Sequence, residues 1–166
     1  MTRTTKILNI IYVFIVALFL LDSLPCFDIK SQGIKSSIYF GLLIGTPLTL
    51  IWNALVIKTR HGKIIWTILP TTFLIIILIV GPVKFIYSIG SWQTQTILYQ
   101  NRHFSFRTVE FQMQDVGAFG YNKRTVEVFY LTPLFMITGE IPNDEEKRID
   151  WIKVDKYVNE LGLKGG

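Results

Sequence analysis

The chain has 166 residues, of which 50% are hydrophobic and only 17% charged, with a formal net charge of +5 and a mean hydropathy of +0.40. Soluble domains carry about 25% charge, so the composition argues against an ordinary soluble, nucleic-acid-binding or disordered protein. The deficit is local: residues 1–90 hold ten charged side chains and residues 91–166 hold nineteen. This divides the chain into a membrane domain, 1–90, and a smaller water-facing domain, 91–166. The single cysteine, Cys26, excludes an intramolecular disulfide framework and a Cys-based zinc site, both of which need several thiols.

Three segments have the length and apolarity of lipid-crossing helices. The first, about residues 7–24, contains Ile7 to Leu21, in which Asn9 is the sole polar member, and it follows a basic stub with Arg3 and Lys6. Ser23-Leu24-Pro25-Cys26 is a poor cleavage or lipoprotein signal, so the segment reads as a retained anchor. The second (38–57) and the third (64–83) are each twenty residues without a charge. Helices are required, because open strands leave backbone groups unsatisfied in lipid. Pro47, Pro70 and Pro82 should kink or end them locally.

Orientation follows from lysine and arginine in the short loops. Arg3 and Lys6 precede the first span, and Lys58, Arg60 and Lys63 fill the six-residue turn 58–63, with no acid in either place. The loop 22–37 instead balances Asp22 and Asp28 against Lys30 and Lys35. The positive-inside rule then puts the N-terminus and the 58–63 turn in the cytoplasm and the C-terminal domain outside. Short loops and compact topology suggest a bacterial inner membrane. In the second span, Ser37, Gly41, Gly45, Thr49 and Asn53 form an i, i+4 series of small or polar residues, a helix-packing candidate for spans one and three or for self-association. Asn53 and Asn9 are placed to hydrogen-bond between spans one and two. The interior of the three spans holds no Asp, Glu, His, Lys or Arg, which argues against a transport pathway.

After Trp92 the apolar period changes to two. Val109, Phe111 and Met113 alternate with polar residues, as do Val126, Val128 and Tyr130, which predicts a hairpin pairing Val109 with Tyr130, Phe111 with Val128 and Met113 with Val126. Arg107-Thr108-Val109-Glu110-Phe111 nearly recurs as Arg124-Thr125-Val126-Glu127-Val128, a match that two antiparallel strands of similar patterning explain. Phe104 and Phe106 on the other parity predict a bulge at Arg107-Thr108. Residues 93–100 and 134–141 read as further strands. Trp151, Val154, Val158 and Leu161 at helical spacing predict a C-terminal helix with Asp155 as N-cap and Gly162 as C-cap. The expected fold class is therefore a membrane protein with three transmembrane helices, followed by a small α+β domain of three or four antiparallel strands plus a C-terminal helix.

Chemistry needs a constellation, and the residues do not spell one out. His103 is the only histidine of the external domain, Cys26 has no histidine near in sequence, and Asp144-Glu145-Glu146 lacks the spacing of a calcium loop. No phosphate-cradling glycine loop, catalytic residue, metal site or cofactor is expected. The Gly117–Tyr121 loop presents Phe119 and Tyr121 between glycines; the two rings either fold back to cap the small core or form the candidate contact surface, able to insert into a partner or into the outer lipid surface. The expected function is a non-catalytic accessory, assembly or immunity-like subunit that works through its external domain. Its expected partners are the lipid bilayer and a membrane or extracytoplasmic protein, with self-association through span two an option and no nucleic acid. The alternative is a membrane-anchored receptor or ligand-binding module that relays through a partner.

Overall fold

A computed structural model describes residues 2–82, 85, 89–139, 141 and 150–163. The chain forms two compact units: Met1–Leu21 with Ser36–Ile89, and Asp22–Lys35 with Gly90–Gly166. The segment between the first two helices thus clusters with the C-terminal part of the chain.

The helical unit is built on α1 (Arg3–Asp22), α2 (Gln32–Val56) and α3 (Arg60–Val80). All three are long and apolar enough to cross a membrane, consistent with a multi-pass membrane protein. At 1.5 Å per residue the shortest of them covers about 30 Å. Pro47 and Pro70 lie inside continuous helices, and α3 stops at Val80 before Gly81, whose φ of 89° an L side chain rarely adopts. An aromatic cluster forms part of the core: the Phe19 ring lies 5.3 Å from Tyr39, 6.0 Å from Phe73 and 5.4 Å from Phe85. Buried polar contacts accompany it. Asn9 and Asn53 exchange reciprocal amide hydrogen bonds of 2.9 and 2.8 Å, Asn53 Nδ2 also donates to the Trp66 carbonyl at 2.8 Å, and Tyr12 and Thr46 hydroxyls meet at 3.0 Å. Where every surface is apolar, such bonds help define which faces meet.

The other unit is one antiparallel sheet of six strands among the described residues: β1 (Phe27–Ile29), β2 (Trp92–Asn101), β3 (Arg107–Asp115), β4 (Tyr121–Thr132), β5 (Phe135–Gly139) and β6 (Trp151–Tyr157). Their order is β1-β5-β4-β3-β2-β6. Lys30, just past one edge strand, forms a 2.8 Å ion pair with Glu160, just past the other. The sheet therefore curls until the segments beyond its two edges meet, and one face becomes an interior.

Several expectations change here. The strand count is six, not three or four, because β1 comes from the loop between the helices and β6 occupies the predicted C-terminal helix. Trp151, Val154, Val158 and Leu161 have helical spacing, but residues 151–157 also alternate, and the free edge of β2 supplies the ladder that decides between the two. Asp155, expected as an N-cap, sits at φ 45° within an irregularity of β6, while Gly162 has φ 65° beyond it. No bulge occurs at Arg107-Thr108, since Phe104 to Phe106 form the turn and β3 starts in register at Arg107. The β3–β4 register is also three residues from the predicted one: Val109 faces Glu127, Phe111 faces Thr125 and Met113 faces Lys123. Polar cross-strand pairs select it. Gln112 bonds Arg124 opposite it, Gln114 bonds Asn122, and Arg107 pairs with Glu127. A slip by an odd number reverses the faces of β4, so Val126, Val128 and Tyr130 join the face of Glu110 rather than that of Val109. Asp144-Glu145-Glu146 lies outside the described residues.

Candidate functional site

The reversed face carries the main feature of the sheet unit, a continuous buried polar chain. Glu110, on the middle strand β3, is 1% exposed. Its carboxylate accepts hydrogen bonds from Thr94 Oγ1 (2.7 Å), Thr108 Oγ1 (2.7 Å), Gln112 Nε2 (3.0 Å) and the Tyr130 hydroxyl, which stands 2.9 Å from both oxygens. A buried carboxylate is tolerable only when its oxygens are satisfied in this way.

From Glu110 the chain runs in two directions. On one side Lys30 Nζ uses its three protons on Tyr130 OH (2.9 Å), Thr94 Oγ1 (3.3 Å) and Glu160 Oε1 (2.8 Å), and the Thr94 N–H holds the second Glu160 oxygen at 2.7 Å. On the other side Gln112 Oε1 accepts from Arg124 Nε (3.0 Å) and Nη2 (2.9 Å), while Nη2 also reaches Asp28 Oδ2 at 2.7 Å. The Arg124 guanidinium lies 4.1 Å from the centre of the Trp92 ring, and Thr138 Oγ1 donates to Asp28 at 3.3 Å. The charges alternate along the chain: Glu160, Lys30, Glu110, Arg124, Asp28.

This arrangement holds its protons tightly. For Lys30, burial works against the charged form, but hydrogen bonds to Glu160 and Tyr130 and the negative charge of Glu160 outweigh it, and its pKa rises. Tyr130 is raised as well, first by burial and then by the negative charge of Glu110. Near neutral pH Lys30 is therefore an ammonium and Tyr130 a neutral phenol, each engaged with its neighbours. Neither is poised to exchange a proton there.

A separate buried ion pair secures the segment between the helices. Lys35 Nζ lies 3.2 Å from Asp22 Oδ2, with the Asp22 side chain 0% exposed, and the other Asp22 oxygen accepts the Ile29 N–H at 3.0 Å. An open groove of about 650 Å³ runs beside β4 and β5, lined by Pro25, Cys26, Arg124, Thr125, Val126, Thr138, Gly139 and Ile141. Cys26 is exposed with a free thiol. His103 is exposed and pairs with Asp150 at 3.7 Å. Among the described residues no group of three or more His, Cys, Asp or Glu could hold a metal ion.

The residues singled out from sequence are dispersed. Along α2, Asn53 is fully buried, Gly41, Gly45 and Thr49 are half-buried, and Ser37 is exposed. The reason is geometric: each i+4 step turns the position by about 40°, so four steps wind the series about 160° around the helix. A Cβ on Gly41 would touch Ile15 Cδ1 at 3.4 Å, whereas one on Gly45 would meet nothing within 4 Å. Phe119 is 74% exposed and Tyr121 is 42% exposed, on the β3–β4 connection. Sequence reasoning missed Lys30, Thr94, Glu110, Arg124, Tyr130 and Glu160. One local signal was available: the polar parity of β3 reads Thr108, Glu110, Gln112, Gln114, a lone carboxylate among neutral hydrogen-bonding groups. The chain it belongs to joins residues 100 positions apart in sequence, as with Lys30 and Tyr130.

Compared with known proteins, the chain matches no protein-family model, no curated relative and no solved structure.

Proposed function

We propose that the chain is a non-catalytic subunit of the cell membrane, with its N-terminus cytoplasmic and the sheet unit extracytoplasmic, and that the sheet binds a protein partner. The division at residue 90 into a membrane domain and an external domain belongs to the same reading. The observation that carries it is an exposed aromatic ladder on the outer face of the sheet. Phe104 (50% exposed) and Phe106 (42%) have ring centres 5.5 Å apart, and Phe106 meets Phe129 edge-on at 5.0 Å. Phe129 lies opposite Ile137, which lies opposite Phe27, so the row continues across three strands. Contiguous exposed aromatics of this kind are what protein contacts bury. The interior supports the non-catalytic part, since its acids and bases are committed to one another.

A mild-detergent purification tests the proposal. The wild type should carry a stoichiometric protein that Phe106→Ser with Phe129→Ser loses while retaining its melting temperature. A lone monomer recovered under gentle conditions would overturn the subunit reading. Reporter fusions after Lys63 and after Gly166 should report opposite sides of the membrane, and the same side for both would overturn the orientation. The groove beside Arg124 favours a second reading, a receptor or ligand-binding module. Against it stands the engagement of Arg124 by Asp28 and Gln112.

A further inference from the structure

We propose that β6 is a dimerisation edge, which pairs antiparallel with β6 of a second copy of this chain about a twofold axis at Val154. Only residues of the sheet unit take part, and the contact is separate from the aromatic ladder.

The two edges of the sheet are built differently. β1 is three residues long with Asp28 and Ile29 buried, and so short a strand offers little ladder to a newcomer. β6 is seven residues long, and Ile152 to Tyr157 are all exposed, Tyr157 by 65%. Ile152, Val154, Tyr157 and the adjoining Val158 thus stand in solvent on a strand that pairs only with β2 among the described residues. An uncovered edge of this kind is a template for strand addition.

The backbone keeps that edge in phase. The Asp150 carbonyl accepts from Arg102 N–H at 2.8 Å and Val158 N–H donates to the Gln95 carbonyl at 2.9 Å, so even-numbered positions turn their backbone groups to β2 at both ends of the strand. By alternation Trp151, Lys153 and Tyr157 direct theirs to the open side. Asp155 departs from strand geometry with φ 45°, but the phase is the same before and after it.

Charge selects a second copy as the occupant. Lysines usually blunt an edge by repelling a further strand, and β6 has two, Lys153 and Lys156. An axis at Val154 sets Lys153 opposite Asp155 of the second copy, twice over. Each ammonium then lies between two carboxylates, one across the axis and the Asp155 of its own strand at 2.9 Å. Both side chains are more than half exposed, so the fold leaves them available. The same register puts Trp151 against Tyr157 at either end and Val154 against itself. Moving the axis to Lys153 or to Asp155 opposes like charges. An axis between Val154 and Asp155 sets Lys153 against Lys156, and one between Lys153 and Val154 gives neither lysine a carboxylate.

Cross-linking of the full chain in mild detergent tests the proposal, with Cys26→Ser removing the single native thiol. Val154→Cys places two thiols across the axis at the spacing of facing β-carbons, about 4.5–5.5 Å, and oxidation with copper phenanthroline should join them into a covalent dimer. Lys156→Cys, on the same face of the strand, holds its two thiols four residues apart, about 13 Å, beyond the reach of a disulfide, and should stay monomeric. Added to Val154→Cys, Lys153→Asp should abolish the cross-link and Lys153→Arg should keep it. No cross-link at Val154→Cys in a chain that melts like the wild type, or equal cross-linking at Val154→Cys and Lys156→Cys, would overturn the proposal. The cross-link should persist in Phe106→Ser with Phe129→Ser, which separates its failure from failure of the partner contact; its loss there would place the self-contact off β6 and overturn the assignment.

Discussion

Replacing Glu110 probes the polar chain at its centre. In Glu110→Ala four donors lose their acceptor together: Thr94, Thr108, Gln112 and Tyr130. The hydroxyls can turn, and Thr94 and Tyr130 already lie 3.3 Å apart. Gln112 Nε2 retains only a long contact to Met136 sulfur at 3.7 Å, and the chain loses the carboxylate between Lys30 and Arg124. Leaving about two buried polar groups unsatisfied, at about 1–3 kcal/mol each, and breaking the charge alternation should cost about 3–5 kcal/mol in all. Glu110→Gln keeps shape and one acceptor; if its amide turns to Thr108, whose hydroxyl can rotate to accept, the loss is about 1–2 kcal/mol. Hydrogen exchange of the β3 amides in detergent reads this directly. It should accelerate by about 10²- to 10⁴-fold in Glu110→Ala and by about tenfold in Glu110→Gln. Exchange in Glu110→Ala within about fivefold of the wild type, a difference of about 1 kcal/mol, would refute the view that this network stabilises the sheet.

Other perturbations test neighbouring features. Lys30 and Tyr130 both have raised pKa values and so bind their protons more tightly when folded; the stability they confer is present at neutral pH and is lost as pH rises past about 10. Unfolding midpoints from pH 8 to 11 should therefore fall, and the fall should flatten in Lys30→Met with Tyr130→Phe; an unchanged slope would refute the assignment. Lys35→Met removes the ammonium 3.2 Å from the buried Asp22 carboxylate and should cost about 3–5 kcal/mol, largely recovered by adding Asp22→Leu; thermal melts that show no recovery would contradict this. Asn53→Leu removes the reciprocal bonds with Asn9 and the bond to Trp66, at about 0.6 kcal/mol each, and a steric-trap or SDS-unfolding measurement should show a loss of about 1–2 kcal/mol. Gln95 Nε2 is buried without a hydrogen-bond partner among the described residues, so Gln95→Met should be neutral or stabilising by about 1 kcal/mol in a thermal melt; a clear destabilisation would show that the amide is engaged.

Two residue classes were readable before folding was known. The helices follow from runs of uncharged apolar residues, because lipid requires every backbone group to be bonded within the segment. The strands β3 and β4 follow from alternation, and the Asn9–Asn53 contact follows from depth along two spans. Which parity of β3 faces inward does not follow. Val109 and Met113 are buried on one face and Glu110 and Gln112 on the other, so the usual division into an apolar inside and a polar outside fails.

The near-repeat makes the point with particular residues. Its two copies share Arg-Thr-Val-Glu at the same spacing, yet Glu110 and Arg124 face the interior while Arg107 and Glu127 pair on the outer face. Period alone sets which residues share a face of a strand. Register then decides which face of one strand joins which face of the next, and it was chosen here by cross-strand polar pairs. The C-terminal strand is similar: 151–157 fits helix or strand locally, and the open edge of β2 settles it. Sequence by itself determined the three helices and the alternating strands, because lipid solvation and pleating act on neighbouring residues. Only the tertiary structure decided register, the sixth strand and the buried chain from Glu160 to Asp28, because those depend on hydrogen bonds between residues as far apart as Asp28 and Arg124.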